Sequence, residues 1–220
     1  GEGRFWLEDA LTRGPSEPTA ARATALNWAG LAAMRDADVG VARNRLEASV
    51  VVARHIGNSA LLSIALRHLS VAIYDQDAPA GQAVLEEALA IARTSGNARE
   101  IAYALSFLGR MHESAGRMAM AEQLYTEGLV PGRSCGDAPP LASLLVNLGR
   151  IAAARGDYAR AVVLMQEGWI WLPNSCIAAT RSAGWPCCIW RTWPARRATS
   201  PPRWLAVWKA WSSRGTEVSS

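Results

Sequence analysis

The strongest constraint on the fold of this chain is an internal repeat with a period of about 40 residues. Gly-Asn or Gly-Asp pairs occur at residues 57–58, 96–97 and 136–137, and the triplet Leu-Gly-Arg occurs at 108–110 and again at 148–150. Ala121 and Ala161 keep the same spacing. Independent markers that share one period indicate a series of similar structural units along the chain.

Apolar residues inside these units follow the period of an α-helix. Ile101, Leu105, Leu108 and Met111 recur at intervals of three and four residues, and residues 84–92 show the same pattern. Each unit is therefore predicted to be a helix, a short turn and a second helix. Glycine at the break suits a left-handed C-cap, and the Asn or Asp after it can cap the next helix. Residues 1–168 contain no alternating strand pattern, so we predict an all-α fold.

Two consecutive units resemble the tetratricopeptide repeat. The residues that carry the resemblance are Leu108, Gly109, Gly116, Ala121, Tyr125 and Gly128 in one unit, and Leu148, Gly149, residues 156–161 and Gly168 in the next. The resemblance implies an α-solenoid, a right-handed superhelix of antiparallel helix hairpins. Small residues at 109 and 121 let the two helices of a hairpin approach closely, and we expect Tyr125 and Met165 to fill the gap between successive hairpins.

The match to this signature is weaker upstream. Ala29, Gly30 and Ala42 fit the first unit, whereas Ser70 and Gly81 depart from the pattern in the second. HEAT and armadillo repeats have a similar period and remain the alternative fold. For residues 1–168 we expect about four hairpins, the first of them incomplete.

The period is longer than the 34 residues of the standard tetratricopeptide motif. Repeats of this length are similar to the C-terminal arrays of MalT-like and LuxR-type ATP-dependent bacterial transcriptional regulators. Residues 1–11 resemble the second helix of a preceding repeat in such proteins. This resemblance implies a scaffold or sensor module of a regulator. The nucleotide-binding and DNA-binding domains of that family have no counterpart in the 220 residues.

Charge is distributed unevenly along the chain. Residues 169–220 hold seven of the 23 basic side chains and one of the 19 acidic ones, so the remainder is slightly acidic. Residues 1–168 therefore lack the basic field that holds nucleic acid. No run of about 18 apolar residues predicts a membrane span, and residues 1–11 are too charged for a signal peptide. We expect a cytoplasmic protein that does not bind a membrane.

The tail differs from the repeats in composition. Eight of the ten tryptophans lie in residues 169–220, together with five prolines that would interrupt a long amphipathic helix. Such a segment could be an arm that binds nucleic acid or a membrane surface. A shift of reading frame near Gly168 explains it better. Tryptophan and cysteine codons begin with TG, and the frame one base earlier reads aliphatic codons at helical intervals. We therefore expect a poorly packed tail.

The sequence offers no recognisable catalytic, metal or cofactor site. His112-Glu113 does not continue into the H-E-x-x-H motif, and His55 and His68 have no second ligand at a metal spacing. Phosphate-binding glycine loops, a G-x-S-x-G elbow and a C-x-x-C pair are absent from the sequence. We expect a protein that is not an enzyme and that needs no cofactor.

By the tetratricopeptide resemblance, the first helix of each hairpin lines the concave groove of the superhelix. The matching positions are Asn27, Arg67, His68, Tyr103, Ser106, Arg110, Ser143, Asn147 and Arg150. Arg67, Arg110 and Arg150 would make that groove positive and suited to carboxylates of a peptide or an acidic ligand. The same arginines could equally be solvated residues of the helix face.

These observations predict a protein-interaction scaffold or sensor module that binds a peptide or partner protein in the groove. One alternative is a regulatory module that senses a small molecule in the same groove. A second alternative is association with nucleic acid or a membrane through the basic, tryptophan-rich tail.

Overall fold

The computed structural model describes residues 2–14 and 16–170 of the chain. This part contains helices and turns, and no strand. The helices are α1 (Glu2–Arg13), α2 (Ala20–Arg35), α3 (Val39–His55), α4 (Ser59–Tyr74), α5 (Ala78–Thr94), α6 (Ala98–Ser114), α7 (Met118–Ser134), α8 (Ala138–Ala154) and α9 (Tyr158–Ile170). They confirm the all-α fold predicted from the repeat.

Helix length explains the long period. From α2 to α8 every helix has 16 or 17 residues, and each turn between them has three. Two such helices and two such turns span about 40 residues. The excess over the standard motif therefore lies in longer helices and not in longer loops.

The turns explain why glycine and asparagine mark the repeat. Gly57 has a φ of 66°, in the left-handed region that glycine adopts without strain. The side chain of Asn58 then accepts a hydrogen bond of 3.0 Å from the backbone N–H of Leu61 and caps α4. Gly96 and Asn97 repeat both features at the start of α6. The predicted C-cap and N-cap roles are confirmed at these turns.

The described residues fall into two compact units, the first ending at Leu144 and the second beginning at Leu145. In the first unit, α1 packs against α2 through Leu7 and Leu11, which meet Leu26 and Ala29. Helices α2 and α3, α4 and α5, and α6 and α7 form three successive hairpins. The hairpins share a continuous core that includes Leu46 of α3, Leu66 of α4, Leu85 of α5 and Leu105 of α6.

Ion pairs join the second helices of successive hairpins. Arg54 of α3 pairs with Glu87 of α5 at 2.7 Å, and Arg93 of α5 pairs with Glu127 of α7. Glu8 of α1 pairs with Arg45 of α3 in the same manner. Helix α1 therefore takes the position of the second helix of a preceding hairpin. Exposed pairs of this kind contribute about 0–1 kcal/mol each, so the stacking of these hairpins depends mainly on apolar packing.

Glycine lets the two helices of a hairpin approach closely. A methyl group at Gly109 of α6 would overlap the ring of Tyr125 on α7, and one at Gly30 of α2 would lie 2.6 Å from Leu46 Cγ on α3. Tyr125 is fully buried, and its hydroxyl donates to Glu113 Oε2 at 3.0 Å. We expected Tyr125 between successive hairpins. Its ring instead fills the inside of its own hairpin, because Gly109 leaves room for it there.

The second hairpin places its glycine on the opposite helix. A methyl group at Gly81 of α5 would lie 2.8 Å from Tyr74 Cα and 3.0 Å from the carbonyl oxygen of Ser70 on α4. The hydroxyl of Ser70 donates to the Arg67 carbonyl at 2.7 Å and is thereby satisfied in the core. The departures at Ser70 and Gly81 therefore preserve the close approach of the two helices.

In the second unit, the C-terminal part of α8 packs against α9. A methyl group at Gly149 would lie 2.8 Å from Met165 Cγ, so Met165 also packs inside its own hairpin. Ala152, Ala153 and Ala161 form a small core. The tail and its proposed frameshift lie outside the described residues. Among the described helices, none is both long enough and apolar enough to span a membrane.

Candidate functional site

A cleft of about 300 Å³ lies within the unit of residues 1–144. Its walls come mainly from α2, α4 and α6, the first helices of three successive hairpins. Four of the nine predicted groove residues line it, namely Asn27, Arg67, His68 and Tyr103. The stacking of hairpins thus brings together residues that are up to 76 positions apart in the chain.

An ion pair between neighbouring hairpins forms part of the cleft wall. Arg67 of α4 and Glu100 of α6 are buried, with 7% and 3% of their surfaces exposed. Arg67 donates from Nε to Glu100 Oε2 at 2.8 Å and from its terminal nitrogen to Oε1 at 3.4 Å. A buried guanidinium requires such a partner because it has lost its water. Glu100 neutralises Arg67, so Arg67 adds no unbalanced positive charge to the cleft.

Guanidinium groups of α4 and α6 lie against two aromatic rings of α6. The Cζ atom of Arg67 lies 4.5 Å from the ring centre of Tyr103 and 5.9 Å from that of Phe107. Arg99 lies 5.8 Å from the Tyr103 ring, and Arg110 lies 5.4 Å from the Phe107 ring. These are cation–π distances, and they fix the positions of both rings.

The other cation at the cleft also has a carboxylate partner. Arg99 Nε donates to Asp137 Oδ2 at 2.6 Å. Burial, followed by the negative charge of Asp137, raises the pKa of Tyr103, so its phenol is uncharged at neutral pH. With Arg67 paired to Glu100, the charges around the cleft balance locally.

His68 lies in the cleft as a neutral imidazole. Burial, and next the positive charge of Arg67, lower the pKa of His68 to about 3. His68 Nδ1 is 2.9 Å from Asn27 Oδ1, and because that oxygen can only accept, Nδ1 carries the proton. The lone pair is therefore on Nε2, which has no hydrogen-bond partner among the described residues. Within the same residues, no group of His, Cys, Asp and Glu side chains could hold a metal ion.

The apolar side of the cleft was not predicted from the sequence. Trp28 follows Asn27 on α2 and is 58% exposed, and Leu31, Leu61 and Ile64 continue the apolar surface. Trp28 is one of two tryptophans before residue 169, and this rarity is a signal that could have identified it. Glu100 was also missed, since its pairing with Arg67 depends on the stacking of two hairpins.

The remaining predicted groove residues do not line this cleft. Ser106 and Ser143 form a hydrogen bond with each other at 2.8 Å, and Ser106 is buried. Asn147, in the second unit, is 1% exposed, and its Oδ1 accepts from Arg150 at 2.8 Å. Arg110 stacks on Phe107 outside the cleft. The structure therefore divides the predicted set into one cluster around the cleft and several separate contacts.

Comparison with known proteins agrees with this architecture. A tetratricopeptide-repeat family model matches residues 104–136. The crystal structure of MamA matches with a TM-score of 0.51 and 17% identity, over 83% of this chain and 90% of that chain. The crystal structure of BtubC (BKLC) from P. vanneervenii matches with a TM-score of 0.63 and 15% identity, over 91% and 79% respectively. No curated protein matches the chain. These findings support a tetratricopeptide repeat at residues 104–136 and an α-solenoid fold for the chain.

Proposed function

We propose that this chain is a protein-interaction scaffold or sensor module that binds a peptide or a segment of a partner protein in the cleft. The fold supports the general role, because tetratricopeptide solenoids are typically non-enzymatic scaffolds with extended binding surfaces. The observation that carries the proposal is the cleft itself, which α2, α4 and α6 form together. Trp28 gives this cleft an apolar wall that is exposed to solvent.

The character of the cleft favours a protein ligand. Its volume of about 300 Å³ is at the lower limit for sites that enclose a small molecule, which span about 300–1,000 Å³. An exposed tryptophan beside buried polar groups is typical of protein interfaces, where Trp, Tyr and Arg contribute most of the binding energy. A segment that extends along several first helices can use both this cleft and the surface beside it.

Selection from a random peptide library tests the proposal. Immobilised full-length chain is the target, and the affinity of each enriched peptide is then measured for the unaltered protein, Trp28→Ala and Trp6→Ala. Trp6 is the matched control because it is also an exposed tryptophan, at 66%, and lies on α1 away from the cleft. We expect Trp28→Ala to weaken binding by about tenfold or more, and Trp6→Ala to leave it unchanged. Failure to enrich any peptide that depends on Trp28 would overturn the proposal.

A small-molecule sensor is the second candidate, because a volume of about 300 Å³ is still within the range of small-molecule sites. A thermal-shift screen of metabolites separates the two functions, because a ligand that binds the folded state raises the unfolding temperature. Our proposal predicts stabilisation by cleft-binding peptides and none by the metabolites.

Binding of nucleic acid or membranes through the tail is tested by deleting residues 169–220, which we expect to leave peptide binding intact.

We also propose that the chain is part of an ATP-dependent transcriptional regulator. The repeat of about 40 residues, built from helices of 16 or 17 residues, supports this assignment. Sequencing of the gene across and on both sides of the codons for residues 1–220 tests it. We expect reading frames for a nucleotide-binding domain and for a DNA-binding domain. Their absence from a complete gene would contradict the assignment.

A further inference from the structure

We infer that the cleft binds an uncharged segment of the partner through an aromatic side chain that carries a hydrogen-bond donor, tryptophan or tyrosine. This inference rests on the proposed function and specifies its ligand. Three features of the cleft support it, namely its charge balance, the exposed lone pair of His68 and the apolar wall at Trp28.

Charge balance argues against an acidic ligand. Arg67 is buried and held by both oxygens of Glu100, and Arg99 is held by Asp137. A ligand carboxylate at Arg67 would compete with Glu100, and if it displaced Glu100 that carboxylate would be left buried without its cation. At Arg99 the charge is already balanced by Asp137, which weakens the attraction for a second carboxylate. An uncharged group avoids both costs. The same pairs also leave no unmatched acidic group in the cleft to attract a basic side chain.

His68 supplies an acceptor that is fixed in position. Asn27 Oδ1 holds the proton on Nδ1, so Nε2 can accept a hydrogen bond and cannot donate one. Asn27 is 7% exposed, so this hydrogen bond is largely shielded from water. A side chain that enters the cleft and carries an N–H or O–H group therefore finds an acceptor without a partner among the described residues. Serine or threonine would satisfy this acceptor but would leave the apolar wall uncovered.

The apolar wall requires a large side chain. Trp28, Leu61 and Ile64 border the cleft and present more apolar surface than a small polar residue can cover. Aromatic rings bury about 150–250 Å² each, and Trp and Tyr combine such a ring with a donor at its edge. A cleft of about 300 Å³ is suited to one such ring. Tryptophan and tyrosine are thus the residues that meet the apolar and polar requirements together.

Nuclear magnetic resonance of the imidazole nitrogens tests this inference on the full chain. The protein has three histidines, so a sample with ¹⁵N-labelled histidine gives a simple spectrum. The probes are capped pentapeptides with two glycines on each side of a central Trp, Tyr, Phe, Leu, Glu or 1-methyltryptophan. We expect Trp and Tyr peptides to shift the Nε2 resonance of His68 and to leave the resonances of His55 unchanged. Removing the donor, as in 1-methyltryptophan or Phe, should weaken binding about three- to tenfold.

Two variants sharpen the comparison. His68→Phe keeps an aromatic ring but removes the acceptor, so we expect it to bind Trp and 1-methyltryptophan peptides equally. Trp28→Ala should weaken binding of all aromatic peptides. If His68→Phe fails to fold, the peptide series on the unaltered protein still tests whether binding depends on the hydrogen-bond donor of the ligand. Equal or tighter binding of the Glu peptide, no donor effect, or no binding of the Trp peptide would overturn the inference. The proposed function would survive if library-selected peptides still bound in a manner that depends on Trp28.

Discussion

Arg67 illustrates how a contact from another hairpin determines the role of a side chain. From the sequence it is an arginine on the first helix of a hairpin, and it could be a solvated residue or a ligand-binding one. In the structure it is 7% exposed, paired with Glu100 and stacked on Tyr103. Its role is therefore to join α4 to α6 and to fix the wall of the cleft. Nothing in the local sequence around residue 67 specifies that partner.

Breaking this pair from one side should be costly. Glu100→Leu leaves the guanidinium of Arg67 buried without a counter-charge, and we expect it to lower the free energy of unfolding by about 3–5 kcal/mol. The double variant Arg67→Met with Glu100→Leu removes both charges and should be within about 1–2 kcal/mol of the unaltered protein. Urea unfolding followed by circular dichroism measures both. A single variant as stable as the double would show that the pair is not buried.

The partly buried His68 should make stability depend on pH. The pKa of His68 is about 3 in the folded protein, against an ordinary value of about 6.5 in the unfolded chain. Between these values the unfolded state binds the additional proton, so stability falls as the pH falls. From pH 6.5 to pH 5 we expect a loss of about 1–2 kcal/mol that His68→Gln removes. Urea unfolding across this range tests it, with His55→Gln on an exposed residue as the control. Equal pH dependence in His68→Gln would contradict the assignment.

At the scale of the element, the hairpin could be predicted in detail from its markers. The spacing of apolar residues predicted the helices, and the Gly-Asn pairs predicted the turns. Glycine takes the left-handed conformation in these turns, and asparagine caps the next helix. The second hairpin was less clear. Its glycine lies at Gly81 on α5 and not on α4, and a linear signature does not show that either helix can provide the gap. The packing of Tyr125 inside its hairpin was missed for the same reason.

A pair of identical substitutions tests the role of glycine in the hairpin. Gly109→Ala adds a methyl group that overlaps the buried ring of Tyr125, and we expect it to cost about 1–3 kcal/mol. Gly40→Ala adds a methyl group to an exposed position of α3 with no atom within 4 Å. Because alanine favours helix by up to about 1 kcal/mol over glycine, that variant should be slightly stabilised. Thermal unfolding of the two variants gives opposite shifts if the packing is correct, and two shifts of the same sign would contradict it.

At the scale of the whole molecule, the cleft exists only when hairpins stack. Residues of α2, α4 and α6 are distant in sequence, and each hairpin alone supplies one wall. Four of the cleft residues could be predicted because the repeat places equivalent positions of first helices side by side. Trp28, Arg99 and Glu100 could not, since their importance depends on side chains from neighbouring hairpins. Peptide binding and the stability of residues 1–144 should therefore be coupled.

The position of a bound peptide tests the central claim most directly. A library-selected peptide that carries a photoreactive benzophenone at its central residue is irradiated with the full chain, and the cross-linked residues are identified by mass spectrometry. We predict cross-links to α2, α4 and α6 around Trp28, Ile64 and His68, and their loss in Trp28→Ala. Cross-links confined to the second helices α3, α5 and α7, or to residues 169–220, would contradict the assignment of this cleft as the binding site.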